Sequence, residues 1–486
     1  MIMAFLEKNL VKLIEFLKDF LFFKQEKLSS NSIYIGSAQS LYDRDKKEEI
    51  YLTNVEKESH MYIIGATGVG KTTFLEHLIR QHIVSSEGFA LFDVHGDLSE
   101  QIIRFMAYLF KNKNEMERKI MARKLILIEP FNPERIVSFN PLEVQKNESV
   151  YSTVLELVEV FRNRWLEFWG PRTNELLRNT LVILAENKLT LIEAPHLLIN
   201  HQFRNSLAKN VQNEEARNWN WRYNKLTEPQ KTIYRDPSLN KIGEFLGDVS
   251  IRYLIGQEKS SFDLRDALNK KKWLIVNLSK GKMKSNSFLL ASLLLCKLQL
   301  AALSRANIPY SQRKPFYIVA DEFQSLATQE VSAMETILSE SRKYRLFLRM
   351  SHQNLFQIER KLLEAILGNV KVILCFRVNH GDAFTLSQEL NPGAKEFLTR
   401  KLTELGVGEA YLKVRGQPHR LVHLPLPEEV EVDSQTIEEL KDLSFSFYAR
   451  DFREIEKEIS ERHKKLGLTR ERSQNKTDSE EEKDGW

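Results

Sequence analysis

Residues 65 to 73 read Gly-Ala-Thr-Gly-Val-Gly-Lys-Thr-Thr, the spacing GxxxxGK[ST]. They stand between an apolar run, Met61-Tyr62-Ile63-Ile64, and a helix-like run, Thr73-Phe74-Leu75-Glu76-His77-Leu78-Ile79-Arg80. A glycine-rich turn from strand to helix lets backbone N–H groups fold inward around a phosphate chain, and the helix N-terminus adds its partial positive charge. Gly65, Ala66, Thr67, Gly68, Val69, Gly70, Lys71, Thr72 and Thr73 are therefore the predicted phosphate cradle. Lys71 is placed for the β- and γ-phosphates and Thr72 for Mg²⁺. With every fixed position present after a strand, an incidental turn is the weaker reading. ATP or GTP, with Mg²⁺, is the expected ligand.

A second run, Pro315-Phe316-Tyr317-Ile318-Val319-Ala320, ends in Asp321-Glu322. Ligands of open α/β sheets bind beyond the carboxyl ends of the strands. Beside a phosphate loop, an acidic pair there predicts Asp321 as a holder of Mg²⁺ and Glu322 as the base that activates the attacking water. The plain alternative is an acidic helix start. A supplied base favours ATP hydrolysis over a slow GTP switch. A third run, Leu346–Met350, ends in Ser351-His352-Gln353, and Gln353 is the predicted γ-phosphate sensor, against a turn residue that caps the next helix. In Ser341-Arg342-Lys343-Tyr344-Arg345, Arg342 can act in trans on γ-phosphate charge or lie on a solvated helix face. Asp93-Val94-His95-Gly96-Asp97 invites a metal reading, but no other residues share its ligand spacing, so a turn lining the cleft is expected.

The elements that must hold these residues form an alternating pattern. Apolar runs at Met61–Ile64, Phe89–Phe92, Lys124–Ile128, Trp273–Leu278, Phe316–Ala320 and Leu346–Met350 interleave with helical patterns and predict a doubly wound α/β domain. Val370–Phe376 and Glu409–Val414 would extend its sheet. Between about 145 and 265 the strand signal gives way to helical spacing, as at Val154, Leu157, Val158 and Phe161, and an inserted all-α domain is expected. The predicted division is an amphipathic helix over 1–30, a motor domain over 31–144 and 266–435 interrupted by the insertion at 145–265, a C-terminal helix over 436–466 and a disordered charged tail over 467–486.

Composition bounds the rest. The 486 residues allow two or three domains, and 42% hydrophobic with 28% charged residues is an ordinary globular balance. A net charge of +5 is too weak over this length to indicate nucleic acid by itself. Two cysteines, Cys296 and Cys375, in apolar runs read as buried thiols of a reducing cytoplasm, not a disulfide scaffold or zinc site. The N-terminal run is broken by Glu7, Lys8, Lys12, Glu15, Lys18 and Asp19, so neither a membrane span nor a signal peptide is expected. Its leucines at helical spacing predict an amphipathic helix that packs on its own domain or docks on a membrane or membrane-bound partner. Two segments are candidates for DNA contact: the loop Lys280-Gly281-Lys282-Met283-Lys284, otherwise a solvated loop, and Trp219, Trp221, Arg222 and Tyr223, otherwise the core of a small helical domain.

In order, GATGVGKTT, FDVHGDL, FNPLE, WGPR, SSFDLRDAL, LIVNLSKG, YIVADEFQSLAT, LSESRKYRL, SHQ, ILGNV and FRVNHGDA resemble the TraG/TraD-type coupling ATPases of conjugation and type IV secretion, within the HerA/FtsK group of DNA-pumping motors. The similarity runs from about residue 60 to about residue 425. It implies a RecA-like motor domain with an inserted all-α domain, assembled as a homohexameric ring around DNA without base specificity. By matching position it implies phosphate and Mg²⁺ binding at Lys71 and Thr72, the second acidic motif at Asp321 and Glu322, the sensor at Gln353 and the trans finger at Arg342. Relaxase or secretion-channel proteins are the implied partners. The transmembrane helices that many coupling proteins carry have no counterpart here. The expected location is therefore cytoplasmic, at most peripheral to the inner face of the membrane, with the first helix or a separate membrane protein as anchor. A HerA-like helicase-translocase working with a nuclease, and a nucleotide-dependent scaffold recruiting substrates to a secretion channel, are the alternatives.

Overall fold

The computed structural model describes residues 32–39, 46–144, 148–279, 286–327 and 331–468. The amphipathic segment 1–30, the loop Lys280–Lys284 and the tail from 469 fall outside them. The described strands are β1 (Ile33–Gln39), β2 (Lys47–Leu52), β3 (Met61–Ile64), β4 (Gly88–Asp93), β5 (Leu125–Ile128), β6 (Ile136–Val137), β7 (Trp273–Asn277), β8 (Phe316–Ala320), β9 (Leu346–His352), β10 (Val372–Cys375), β11 (Glu409–Val414), β12 (Arg420–His423) and β13 (Ala449–Arg450). Eleven of them form one sheet in the order β2-β1-β12-β11-β10-β3-β9-β8-β4-β7-β5. From β10 to β5 every neighbour is parallel; from β10 to β2 every pairing is antiparallel.

This division follows from the residues. β3, β4, β5, β7, β8 and β10 are buried along their whole length, as strands covered by helices on both faces must be. β2 instead carries Lys47, Glu48 and Glu49 outward, and charges on an edge strand discourage pairing with another chain. The opposite edge, β5, is shielded by the C-terminal helix Ser434–Tyr448, whose Ser444 hydroxyl donates to the Leu125 carbonyl at 2.8 Å.

Between Val150 and Asn269 every regular element is a helix or a 3-10 turn. Trp219 and Tyr223 stack at 5.1 Å in the core of this insertion, with the buried Arg204 guanidinium over the Tyr223 ring at 4.8 Å. Trp221 is exposed, with the Lys225 ammonium 3.5 Å from its ring centre, and Arg222 pairs with Glu175 at 2.8 Å. Of the four residues considered for DNA stacking, Trp219 and Tyr223 therefore pack in the core.

Among the contacts that fasten the insertion to the rest of the chain, two are made by buried charged side chains. The apolar helix Asn286–Leu303 packs on the helix Val150–Arg164, and its Lys297 ammonium sits between the Glu143 carbonyl at 2.9 Å and the Glu148 carboxylate at 3.2 Å. The run Phe288–Asn307 is long and apolar enough to cross a membrane, but 78% of its most apolar window is buried, so it is a core helix here. At the other fastening, Arg462 and His463 of the last helix, Phe452–Lys465, meet the buried Glu193 carboxylate at 2.9 and 3.0 Å. Cys296 and Cys375 are buried and form no disulfide.

Candidate nucleotide site

The loop between β3 and the helix Lys71–Val84 is stitched to both flanking strands. Gly65 N–H donates to the His352 carbonyl of β9 at 3.3 Å, and Ala66 N–H to the Arg377 carbonyl beyond β10 at 2.8 Å. A Cβ on Gly65 would lie 2.5 Å from the Phe376 Cβ, so only glycine lets the loop pass this close. Gly70 caps the helix in the left-handed region, φ 106°, which turns the chain straight into the first helical residue, Lys71. Val69 is fully buried and anchors the loop from below, while its carbonyl accepts from Gly408 N–H at 3.1 Å. Thr67 and Gly68 remain exposed at the tip. The Lys71 ammonium folds back on the Gly65 and Ala66 carbonyls at 2.6 and 2.7 Å. Burial pulls its pKa down, and the Glu322 and Asp321 carboxylates oppose that pull.

Strand order explains how residues 250 to 290 positions away arrive here. β9 lies between β3 and β8, so only its carboxyl end stands between the phosphate loop and the acidic pair. In register, Ile64 of β3 faces His352 of β9, and Ala320 of β8 faces Met350. Asp321, Glu322 and Gln353 therefore emerge at one level with the loop. The Thr72 hydroxyl donates to Asp321 Oδ2 at 2.9 Å. Thr67 Oγ1 donates to Gln353 Oε1 at 3.2 Å, and Gln353 Nε2 donates to Glu322 Oε1 at 2.8 Å. Gln324 donates to the other Glu322 oxygen, so the carboxylate is held at both ends. Glu322 itself sits at φ 55°. A left-handed glutamate is strained, and such outliers concentrate where function fixes a side chain. Beneath them His352 is buried against the Tyr62 hydroxyl at 3.2 Å; burial takes its pKa down to about 4, which keeps the ring neutral.

The residues fit a magnesium-nucleotide. Asp321 is buried, its pKa raised first by burial and then by Glu322 and Asp93, with the Thr72 hydrogen bond opposing. Clustered carboxylates facing one lysine leave a negative imbalance that a bound divalent cation relieves. No group of three or more His, Cys, Asp or Glu among the described residues could hold a metal ion by itself. The same electrostatics gives a testable consequence. A carboxyl whose folded pKa is raised stabilises the fold when protonated, and that contribution is lost as pH rises through the folded value. At neutral pH Asp321 is thus a net cost, and Asp321→Asn is expected to raise the melting temperature of the nucleotide-free protein while abolishing Mg²⁺-dependent turnover, a gain of roughly 0.5–2 kcal/mol. Calorimetry without nucleotide checks it; an unchanged or lowered melting temperature would contradict the charge cluster.

The other candidates lie apart. Arg342 is exposed in the turn Ser341–Tyr344 at the amino-terminal end of β9. The seven residues of β9, spanning roughly 23 Å, separate it from its own chain's loop. Asp93 accepts from the backbone N–H groups of His95, Gly96 and Ser99 at 3.0, 2.9 and 2.7 Å, so its carboxylate builds the turn into the helix Asp97–Lys111. That is why the pattern looks like a ligand set and is a scaffold. Three participants escaped sequence reading: Gln324 as a Glu322 partner, Asp93 as a charge felt by Asp321, and the turn at Gly408 that backs the loop. The first was visible as the fourth letter of DEFQ; the others depend on strand pairing.

The family model of the type IV secretion-system coupling protein DNA-binding domain matches residues 49–397. No curated protein matches the chain. Among solved structures, the bacterial conjugative coupling protein TrwBdeltaN70 in its unbound form is similar at TM-score 0.55 and 13% identity, over 78% of this chain and 88% of that one. The plasmid coupling protein TrwB in complex with ADP and Mg²⁺ gives TM-score 0.54 and 14% identity, over 79% and 89%. VirB4 of Thermoanaerobacter pseudethanolicus gives TM-score 0.52 and 14% identity, over 84% and 99%. At these identities the likeness is one of fold: a RecA-like P-loop domain with an all-α domain inserted into it.

Proposed function

Since the chain belongs to the family of type IV secretion-system coupling protein DNA-binding domains, we propose that it is an ATP-driven DNA translocase, pumping DNA through a ring of identical subunits. The observation that carries the reading is the continuous path Thr67–Gln353–Glu322 beside the Thr72–Asp321 hydrogen bond, which joins the phosphate loop to a positioned base. A mere nucleotide-binding fold has no need of an oriented carboxylate held in a strained conformation.

In this reading Lys71 exchanges its two loop carbonyls for β- and γ-phosphate oxygens. Thr72 and, through water, Asp321 hold Mg²⁺, which supplies charge neutralisation across the phosphates. Glu322 accepts the proton of the attacking water. Gln353 bridges Thr67 and Glu322, so loss of the γ-phosphate on one side is transmitted to the next strand tip. Arg342 of a neighbouring subunit completes the site, a reading supported by its place at the far end of β9 from its own loop. DNA is gripped by its backbone without base readout, which makes binding salt-dependent. A homohexamer is the proposed assembly; residues 1–30 are the proposed attachment to a membrane or membrane-protein partner, which flotation with anionic liposomes can check, and relaxase or channel proteins are the proposed clients.

The test is ATPase activity of the purified full chain without DNA, with single-stranded DNA and with duplex, read beside its oligomeric mass. Stimulation by one or both DNA forms in a multimer is expected. An active enzyme indifferent to both would replace the pump with a nucleotide-dependent scaffold.

A further inference from the structure

Four residues leading into β3 are bolted to the segment that follows Arg342. The Arg345 guanidinium donates through Nε to Glu58 at 3.0 Å and through Nη2 to the other Glu58 oxygen. Its third donor, Nη1, meets the Arg313 carbonyl at 2.9 Å. Arg345 stands at φ 54°, a left-handed position directly after the Arg342 turn, so the chain bends there to make this fork. Four residues on, Arg349 is fully buried and donates to the carbonyls of Lys57 and Ser59. Between them Leu348 N–H donates to His60 Nδ1 at 3.0 Å. Every residue from Lys57 to His60 is thus tied to the 345–349 segment, and His60 directly precedes the strand that ends in the phosphate loop.

We propose that the Glu58–Arg345 pair is a positioning pair that couples the turn carrying Arg342 to the phosphate-loop strand of the same subunit, so that hydrolysis at one interface depends on nucleotide at the next. The proposal rests on the trans role of Arg342. An arginine that engages a neighbour's γ-phosphate must be pulled towards it. A turn free to move alone would absorb that displacement. Here it is forked, bidentate and planar, onto Glu58, and a bidentate arginine–carboxylate contact fixes orientation as well as distance. Displacement of Arg342 therefore displaces residues 57–60 and with them β3. Neither Glu58 nor Arg345 touches the nucleotide site, so both act through other residues.

The experiment compares wild type, Glu58→Gln and the exchange Glu58→Arg with Arg345→Glu, using steady-state ATP hydrolysis by the full chain assembled with DNA. Glu58→Gln keeps size and one acceptor but loses the charged fork. Its melting temperature and its ATP affinity, the latter measured with Glu322→Gln to prevent turnover, are expected to stay at the reference values. Its Hill coefficient for ATP is expected to fall to about one, and kcat by roughly 5- to 150-fold, the usual range of coupling between sites. The charge exchange is expected to restore part of the cooperativity. An unchanged Hill coefficient, a wild type without cooperativity, or a joint fall of ATP affinity and melting temperature would each overturn the proposal; the last would leave the pair a structural one. Arg342→Ala measured alongside separates the two readings. Full activity there removes the finger itself, whereas a dead Arg342→Ala with intact cooperativity in Glu58→Gln removes only the coupling.

Discussion

Glu322→Gln protein is expected to bind ATP as tightly as wild type and to hydrolyse it roughly 10²- to 10⁴-fold more slowly, the usual contribution of a positioned general base. The structure makes this substitution informative. Glu322 is buried, and its two oxygens accept from Gln353 and Gln324, so the replacement keeps the shape and one of the two accepting contacts. The phosphate-binding groups, Lys71, Thr72 and the loop backbone, are untouched. The Thr67–Gln353 contact also remains available, so binding and chemistry separate cleanly. Single-turnover hydrolysis with equilibrium binding of ATP to the same preparation checks both halves. Normal turnover would mean that another group takes the proton; lost binding would mean that Glu322 organises the loop.

That contrast depends on a geometry the sequence showed only in part. Runs such as Phe316–Ala320 and Trp273–Asn277 declare themselves as buried strands because both of their faces are covered and every residue but the terminal Asn277 is apolar. Placing Asp321 and Gln353 at strand ends needed only the residue at which the run stops. The neighbours of each strand are another matter. Nothing local says that β9 inserts between β3 and β8, yet this insertion brings Gln353 within hydrogen-bond reach of both Thr67 and Glu322. Chain distance hides such contacts: Glu58 and Arg345 are 287 residues apart. The antiparallel edge was illegible for a different reason. β2 and β12 mix charged with apolar residues, as in Lys-Glu-Glu-Ile-Tyr-Leu, and β1 is interrupted by Gly36, Ser37 and Gln39, so all three lack the continuous apolar run that marks the parallel strands. The pattern Asp93–Asp97 reads as a turn, and a turn forms. Carboxylates and a histidine suggest a metal, but the Asp93 oxygens are already occupied by three backbone N–H groups.

Arg342→Ala should still bind ATP and should lose roughly 10³- to 10⁵-fold in hydrolysis, the worth of trans arginines in other phosphoryl-transfer enzymes. Burial supports treating it as an interface residue. Arg345 and Arg349 on the same segment are consumed by Glu58 and by the Lys57 and Ser59 carbonyls, while Arg342 is exposed. Mixing decides the assignment. Arg342→Ala subunits keep an intact phosphate loop and Glu322, whereas Glu322→Gln subunits keep an intact Arg342. In a mixed ring some interfaces pair the sound loop of the first with the sound arginine of the second, so hydrolysis should reappear although each variant alone is inactive. An arginine acting within its own chain gives no such recovery, because every subunit then carries one defect in its own site. Mixed assemblies verified by mass that stay inactive would remove Arg342 from the site. A monomeric wild type hydrolysing ATP at the full rate would remove the shared-interface mechanism altogether.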